Sequence, residues 1–133
     1  MIFFFDENIS EYAARMLGYF DRNNEMRASV DYFKKGTSDT EWLSTVAKWG
    51  GKTVVVSGDA RILLNKVERQ VLKECKLTCV YLARGWTKLP WEESAWRIVK
   101  VWPDIVKNVE QSPYPSLFEV SLGPKVQAEG RIL

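Results

Sequence analysis

The chain has 133 residues, 46% hydrophobic and 27% charged, with a formal net charge of +2 and no histidine. This is one domain's worth of an ordinary soluble globular protein, without the strongly basic coat of a general nucleic-acid binder. The lack of histidine excludes Ser-His and Cys-His nucleophilic pairs, histidine-ligated zinc and imidazole acid–base chemistry, which leaves carboxylates and metal ions to carry any reaction at neutral pH.

The chain opens on Ile2-Phe3-Phe4-Phe5-Asp6, a solid apolar run that reads as a buried central strand. The run has no basic start and meets an acid at once, so a signal peptide is not expected, and no segment has the length of a membrane span. Asn8 is the expected N-cap of a helix, with Glu11 as its reciprocal partner and Ile9, Tyr12, Ala13, Met16, Leu17 and Phe20 at helical spacing. A second strand is expected from Met26 to Phe33. Ser38-Asp39-Thr40-Glu41 has the form of a capping box that opens a helix through Trp42, Leu43, Val46, Ala47 and Trp49, ended by Gly50-Gly51.

Thr53 to Ser57 is rich in β-branched residues and forms a third strand. Asp59 opens a further helix with Ile62, Leu63, Val67 and Leu72 on one side, and Leu77 to Ala83 is a fourth strand. A loop from Arg84 to Pro90 leads into a helix from Trp91 to about Val109, which Pro103 should kink or cut in two. A strand over Leu117 to Leu122 and a Gly/Pro-punctuated tail follow. Alternating strands and helices predict an α/β fold: a single three-layer domain with a mainly parallel sheet flanked by helices. Residues 1–112 make up that domain, and 113–133 are a C-terminal strand and tail packed on it or extending it. Cys75 and Cys79 read as free thiols of a reducing, cytoplasmic setting.

Three acids follow or end these elements: Asp6 after the first strand, Asp39 before the second helix, and Asp59 after the third strand. Ligands of open α/β sheets bind outside the carboxyl ends of the strands, so the three can converge. Crowded carboxylates repel one another unless a cation lies between them, and an all-oxygen site suits a hard divalent ion such as Mg²⁺. Each acid also has a structural reading. Asp39 and Glu41 favour a helix dipole, Ser38 and Glu41 can cap each other, and Asp59 can cap the helix after it. Asp6 is the hardest to explain structurally, because it closes an apolar strand with no cation beside it in sequence.

Phe4-Phe5-Asp6-Glu7-Asn8-Ile9 resembles the opening of PIN-like domains. Gly36-Thr37-Ser38-Asp39-Thr40-Glu41-Trp42-Leu43 is similar to their Gly-x-Ser-Asp-x-Glu-Ile-Leu stretch, and Val54-Val55-Val56-Ser57-Gly58-Asp59 to their third-strand Ser/Thr-x-Asp. The family includes the VapC-like toxin ribonucleases of toxin–antitoxin pairs. The resemblance implies a Mg²⁺ or Mn²⁺ site at Asp6, Asp39 and Asp59, holding a single metal or else completed by Glu41, and cleavage of an RNA phosphodiester by a metal-activated water. It also implies an RNA substrate and a cognate antitoxin protein as partners. The family often carries a second acid two residues after the third-strand one, and here that position is Arg61.

Arg61 is a candidate phosphate contact, with Asn8, Arg84 and Lys88 as further substrate-facing residues. Trp86, in the Arg84–Lys88 loop, either stacks on a base or packs against the last helix, and Lys34 and Lys35 lie in another loop at the same end of the sheet. Trp42, Trp49, Trp96 and Trp102 sit at helical spacing and read as core or as a subunit interface, the latter consistent with a homodimer; no membrane partner is expected. Two other readings stay open: a receiver-like signalling domain phosphorylated at Asp59, which would need a late-strand Lys where Arg84-Gly85 stands, and a catalytically silent binding module.

Overall fold

The computed structural model describes residues 1–113, 115–122 and 128–132. Strand β1 (Ile2–Phe5) is followed by helix α1 (Glu11–Phe20), strand β2 (Glu25–Ala28) and helix α2 (Asp39–Val46). Strand β3 (Thr53–Ser57) leads through one helical turn, α3 (Arg61–Leu64), into α4 (Lys66–Glu74). Strand β4 (Thr78–Leu82), the long helix α5 (Trp91–Gln111) and strands β5 (Ser116–Val120) and β6 (Ala128–Ile132) complete the order. The strands form one six-stranded sheet, β2-β1-β3-β4-β5-β6. β1 to β5 run parallel and β6 pairs antiparallel with β5. This is the expected α/β architecture. Its strand order reverses at β1: the chain steps outward to β2, then returns to pair β3 on the other side of β1.

Strand parity sorts the core. Successive side chains point to opposite faces of a sheet, so Phe3, Phe5, Val54 and Val56 share one side with Leu17 of α1 and Ile98, Trp102 and Ile105 of α5. Phe4, Val55, Cys79 and Tyr81 share the other with Trp42, Leu43 and Val46 of α2 and Leu72 of α4. Trp102 packs edge-on to Phe3, with ring centroids 4.8 Å apart. Cys79 is a buried apolar filler, and burial pushes its thiol up out of reach of ordinary pH. Continuing the parity past the strand ends carries Asp6 and Ser57 to the α2/α4 side.

Several local expectations are corrected. The N-cap of α1 is Ser10, whose Oγ accepts from the Tyr12 N–H at 3.2 Å, not Asn8. β2 stops at Ala28, and Ser29–Asp31 turns into a 3₁₀ helix that leaves Val30 60% exposed. Ser38 is the N-cap of α2 but makes no side-chain cap bond, so the capping box with Glu41 does not form. The helix after Asp59 is broken at Asn65, whose extended backbone (φ −89, ψ 113) ends α3 while its side chain accepts from Val67 N–H and caps α4. Val67 is therefore exposed and not part of an inward stripe; the side chains of Ile62 and Leu63 lie outside the described ones. Pro103 does not divide α5, where buried Val101, Trp102 and Ile105 hold the helix on both sides of it. In the C-terminal region Tyr114, residues 123–127 and Leu133 lie outside the described residues, and 128–132, expected as tail, form β6. No described helix is long and apolar enough to cross a membrane.

Candidate active site

Asp6 is 5% exposed and extends β1 by one residue, its N–H donating to Val56 O at 2.9 Å. Its Oδ2 accepts from the Ser57 hydroxyl at 3.0 Å and its Oδ1 from the Glu7 N–H at 2.7 Å. Ser57 Oγ in turn accepts from the Asp59 N–H at 3.1 Å, so one buried hydroxyl spans the β1 and β3 loops. Asn8 makes a second tie: its Oδ1 accepts from Gly58 N–H at 3.0 Å. Position 58 is crowded: an added Cβ would stand 2.6 Å from Thr87 Cγ2 and 3.2 Å from Ile9 Cδ1, so any larger residue would have to push those side chains aside. Both ties lie at the carboxyl ends of β1 and β3, where the strand order reverses and α/β sheets leave a crevice.

The acids act on one another there. Burial pushes the Asp6 carboxyl up to about 6; the Ser57 and Glu7 bonds oppose this, and the negative charges of Asp39 and Asp59 add to it. Asp39, at the first position of α2, accepts from Trp42 Nε1 at 3.0 Å. Asp59 is drawn below the usual carboxylate range by the Arg61 guanidinium, which reaches both its oxygens, with Nη2 2.6 Å from Oδ2. Arg61 therefore lies on an acid, and its side chain is 70% exposed. Glu41 is exposed on the first turn of α2, and Glu7 is exposed with its Oε2 accepting from Gly36 N–H.

Glu68 on α4 also reaches this corner, and sequence reasoning missed it. It is 8% exposed, and its carboxyl is raised well above the ordinary range by burial first, then by contact with Asp39 and the charge of Asp59. The signal was present: with Leu72 inward, the residue four earlier is inward too, whereas Val67, five earlier, is not.

The substrate-facing candidates divide. Arg84 and Lys88 follow β4 at the same end of the sheet and are exposed, as are Asn8, Lys34 and Lys35. Trp86 packs inside, its Nε1 donating to Val120 O at 3.2 Å, so it is no stacking platform. Trp42 and Trp102 are core, and Trp49 is half-buried beside Phe4, but Trp96 is 49% exposed under Arg97. An apolar cleft opens on the α1/α5 side, walled by Tyr12, Trp86, Leu89 and Trp91 with Asn8 at its rim; it contains none of the acids.

Among the described residues no three Asp, Glu or Cys side chains stand together as a ready-made metal site. The donor set still fits a hard cation: every donor is an oxygen, Asp6 and Glu68 are buried without a basic partner, and one Glu68 oxygen has no hydrogen bond. Using Asp59 as well requires the exposed Arg61 side chain to swing off it.

A family model described as a PIN like domain matches residues 1–84. The curated proteins and the solved structures yield no match to the chain. The matched span contains β1 to β4 and all the acids named above.

Proposed function

The chain belongs to the PIN-like domain family, a nuclease-type superfamily, and on that footing we propose that it is a divalent-cation-dependent endoribonuclease, the toxin of a toxin–antitoxin pair acting in the cytoplasm. The observation that carries the reading is Asp6: a buried carboxylate with no basic partner, at the reversal point of the sheet, within the fields of Asp39 and Asp59. Asp6, Asp39 and Asp59 would hold Mg²⁺ or Mn²⁺. A cation bound there supplies a lowered pKa to attacking water and neutralises charge on the phosphodiester.

The chain's own groups do the rest. Ser57 fixes the Asp6 carboxylate while leaving lone pairs on both of its oxygens free for a further ligand. The Asn8–Gly58 and Ser57–Asp59 bonds hold the two acid-bearing loops in register, which limits the reorganisation needed as charge develops. Arg84 and Lys88 are exposed and can meet phosphates along a single strand, and Arg61 would join them by exchanging Asp59 for substrate. Glu41, exposed at the start of α2, is the outermost acid and the least committed to the reaction.

The test is cleavage of end-labelled single-stranded RNA by the purified protein with Mn²⁺ or Mg²⁺ and with EDTA. Cleavage should need the cation. Asp6→Asn and Asp59→Asn should each lose on the order of a hundredfold or more, and Glu41→Gln much less. Expression without a cognate antitoxin should slow growth, with Asp6→Asn relieving it. Cation binding without RNA cleavage, together with toxicity that survives Asp6→Asn, would sink the nuclease reading. One observation favours a second reading, a catalytically silent PIN-like module: Arg61 already engages both oxygens of Asp59.

A further inference from the structure

We propose that Glu68 is a fourth carboxylate of the cation site, supplied from α4 to a corner where Arg61 stands in place of an acid. The inference rests on the cation-site reading above. The inward side of α4 runs Glu68, Val71, Leu72 and Cys75, at the spacing of one helix face. The last three pack against the Phe4 and Val55 side of the sheet. The first position of such a stripe calls for an apolar side chain, because burying a carboxylate without a partner is costly. Glu68 is nevertheless 8% exposed.

Its surroundings do not make it a structural residue. Asp21 shows what a structural carboxylate looks like here: it accepts from Asn23 N–H at 3.0 Å, Asn24 Nδ2 at 2.8 Å and Trp102 Nε1 at 3.0 Å. Glu68 Oε2 has no partner, and among the described residues it is the only buried carboxylate oxygen in that condition. Arg61, whose charge reaches Glu68, is itself paired with Asp59. What the Glu68 carboxyl meets instead is another carboxyl, that of Asp39, and the negative charge of Asp59 acts on it as well. A buried carboxyl that touches Asp39, lies in the field of Asp59 and leaves one oxygen unsatisfied is a donor arrangement whose natural complement is a divalent ion.

Position explains how Glu68 can serve a site built from strand ends. The break at Asn65 turns the chain after α3, so α4 begins beside α2 and sets its first inward residue against the start of that helix.

Wild type, Asp6→Asn, Glu68→Gln and Glu68→Asp would be titrated with Mn²⁺ at neutral pH. Binding is followed by loss of the free-ion electron paramagnetic resonance signal and by the cation-induced rise in melting temperature. Glu68→Gln, the same size and shape, should weaken Mn²⁺ binding at least tenfold while its cation-free melting temperature equals or exceeds that of wild type. Glu68→Asp, which keeps the charge, should recover part of the affinity. A smaller loss in Glu68→Gln, with binding abolished in Asp6→Asn, overturns the role of Glu68 and leaves the cation site standing. Wild type that binds no Mn²⁺ overturns both.

Discussion

The two sides of this sheet end differently at its carboxyl edge. On the α1/α5 side the apolar packing of Phe3, Phe5 and Trp102 runs up to a greasy cleft, and the indole nitrogens there are matched: Trp86 Nε1 finds Val120 O and Trp102 Nε1 finds Asp21. On the α2/α4 side the equally apolar packing of Phe4, Val55 and Leu72 gives way to carboxylates that burden one another. The strands are the same; only the parity of the residue differs. Conflict between stability and placement is confined to one corner, as expected where a protein gives up folding free energy for chemistry.

The comparison predicts opposite signs for substitutions on the two sides. Trp102→Ala, on the satisfied side, should cost about 3–5 kcal/mol, the range for a buried large side chain, read from urea unfolding. Asp6→Asn should do the reverse in cation-free protein. Asp6 keeps its proton up to about pH 6 in the folded chain against an ordinary value of 3.8. The folded state therefore binds more protons than the unfolded between those values, and stability falls as pH rises through that window and stays low above it. Asp6→Asn should stabilise the protein by roughly 2–3 kcal/mol at pH 7.5 and by almost nothing below pH 4. Equal melting temperatures for wild type and variant at both pH values would erase the contrast. Arg61→Ala should have the smallest effect on folding, since the Arg61 side chain is 70% exposed and its loss removes little packing. It should nonetheless tighten Mn²⁺ binding by freeing Asp59; weaker binding would make Arg61 a helper of the site instead of a competitor.

The strands and their alternation with helices were legible because periodicity is local: Val54-Val55-Val56 and Phe3-Phe4-Phe5 can only be buried. Asp6 and Asp59 were legible because each follows such a run. Asn8 was not, since an Asn three residues before a helix looks like a cap, and only the β1–β3 pairing brings Gly58 N–H to it. Glu68 was hidden by reading one helix from Asp59 to Leu72, where the apolar Val67 invites the inward place. The break at Asn65 is a local cap hidden among apolar residues on both sides, while the sheet order that brings α4 beside α2 is a long-range result that no local pattern carries.

β2 carries a consequence for assembly. An outermost strand offers unpaired N–H and C=O groups to any other extended chain, the usual route to strand addition and aggregation. Here that strand is four residues long, carries Glu25 and Arg27, and runs directly into the 3₁₀ turn at Ser29. The Arg27 guanidinium lies over the Trp49 ring, 4.5 Å from its centroid, and pairs with Glu25 at 3.0 Å, which keeps the charge fixed beside the strand. An incoming strand would find a short ladder, a desolvation penalty on a held ion pair and then a turn. The β2 side is built to refuse extension, so a partner strand gains little by docking there.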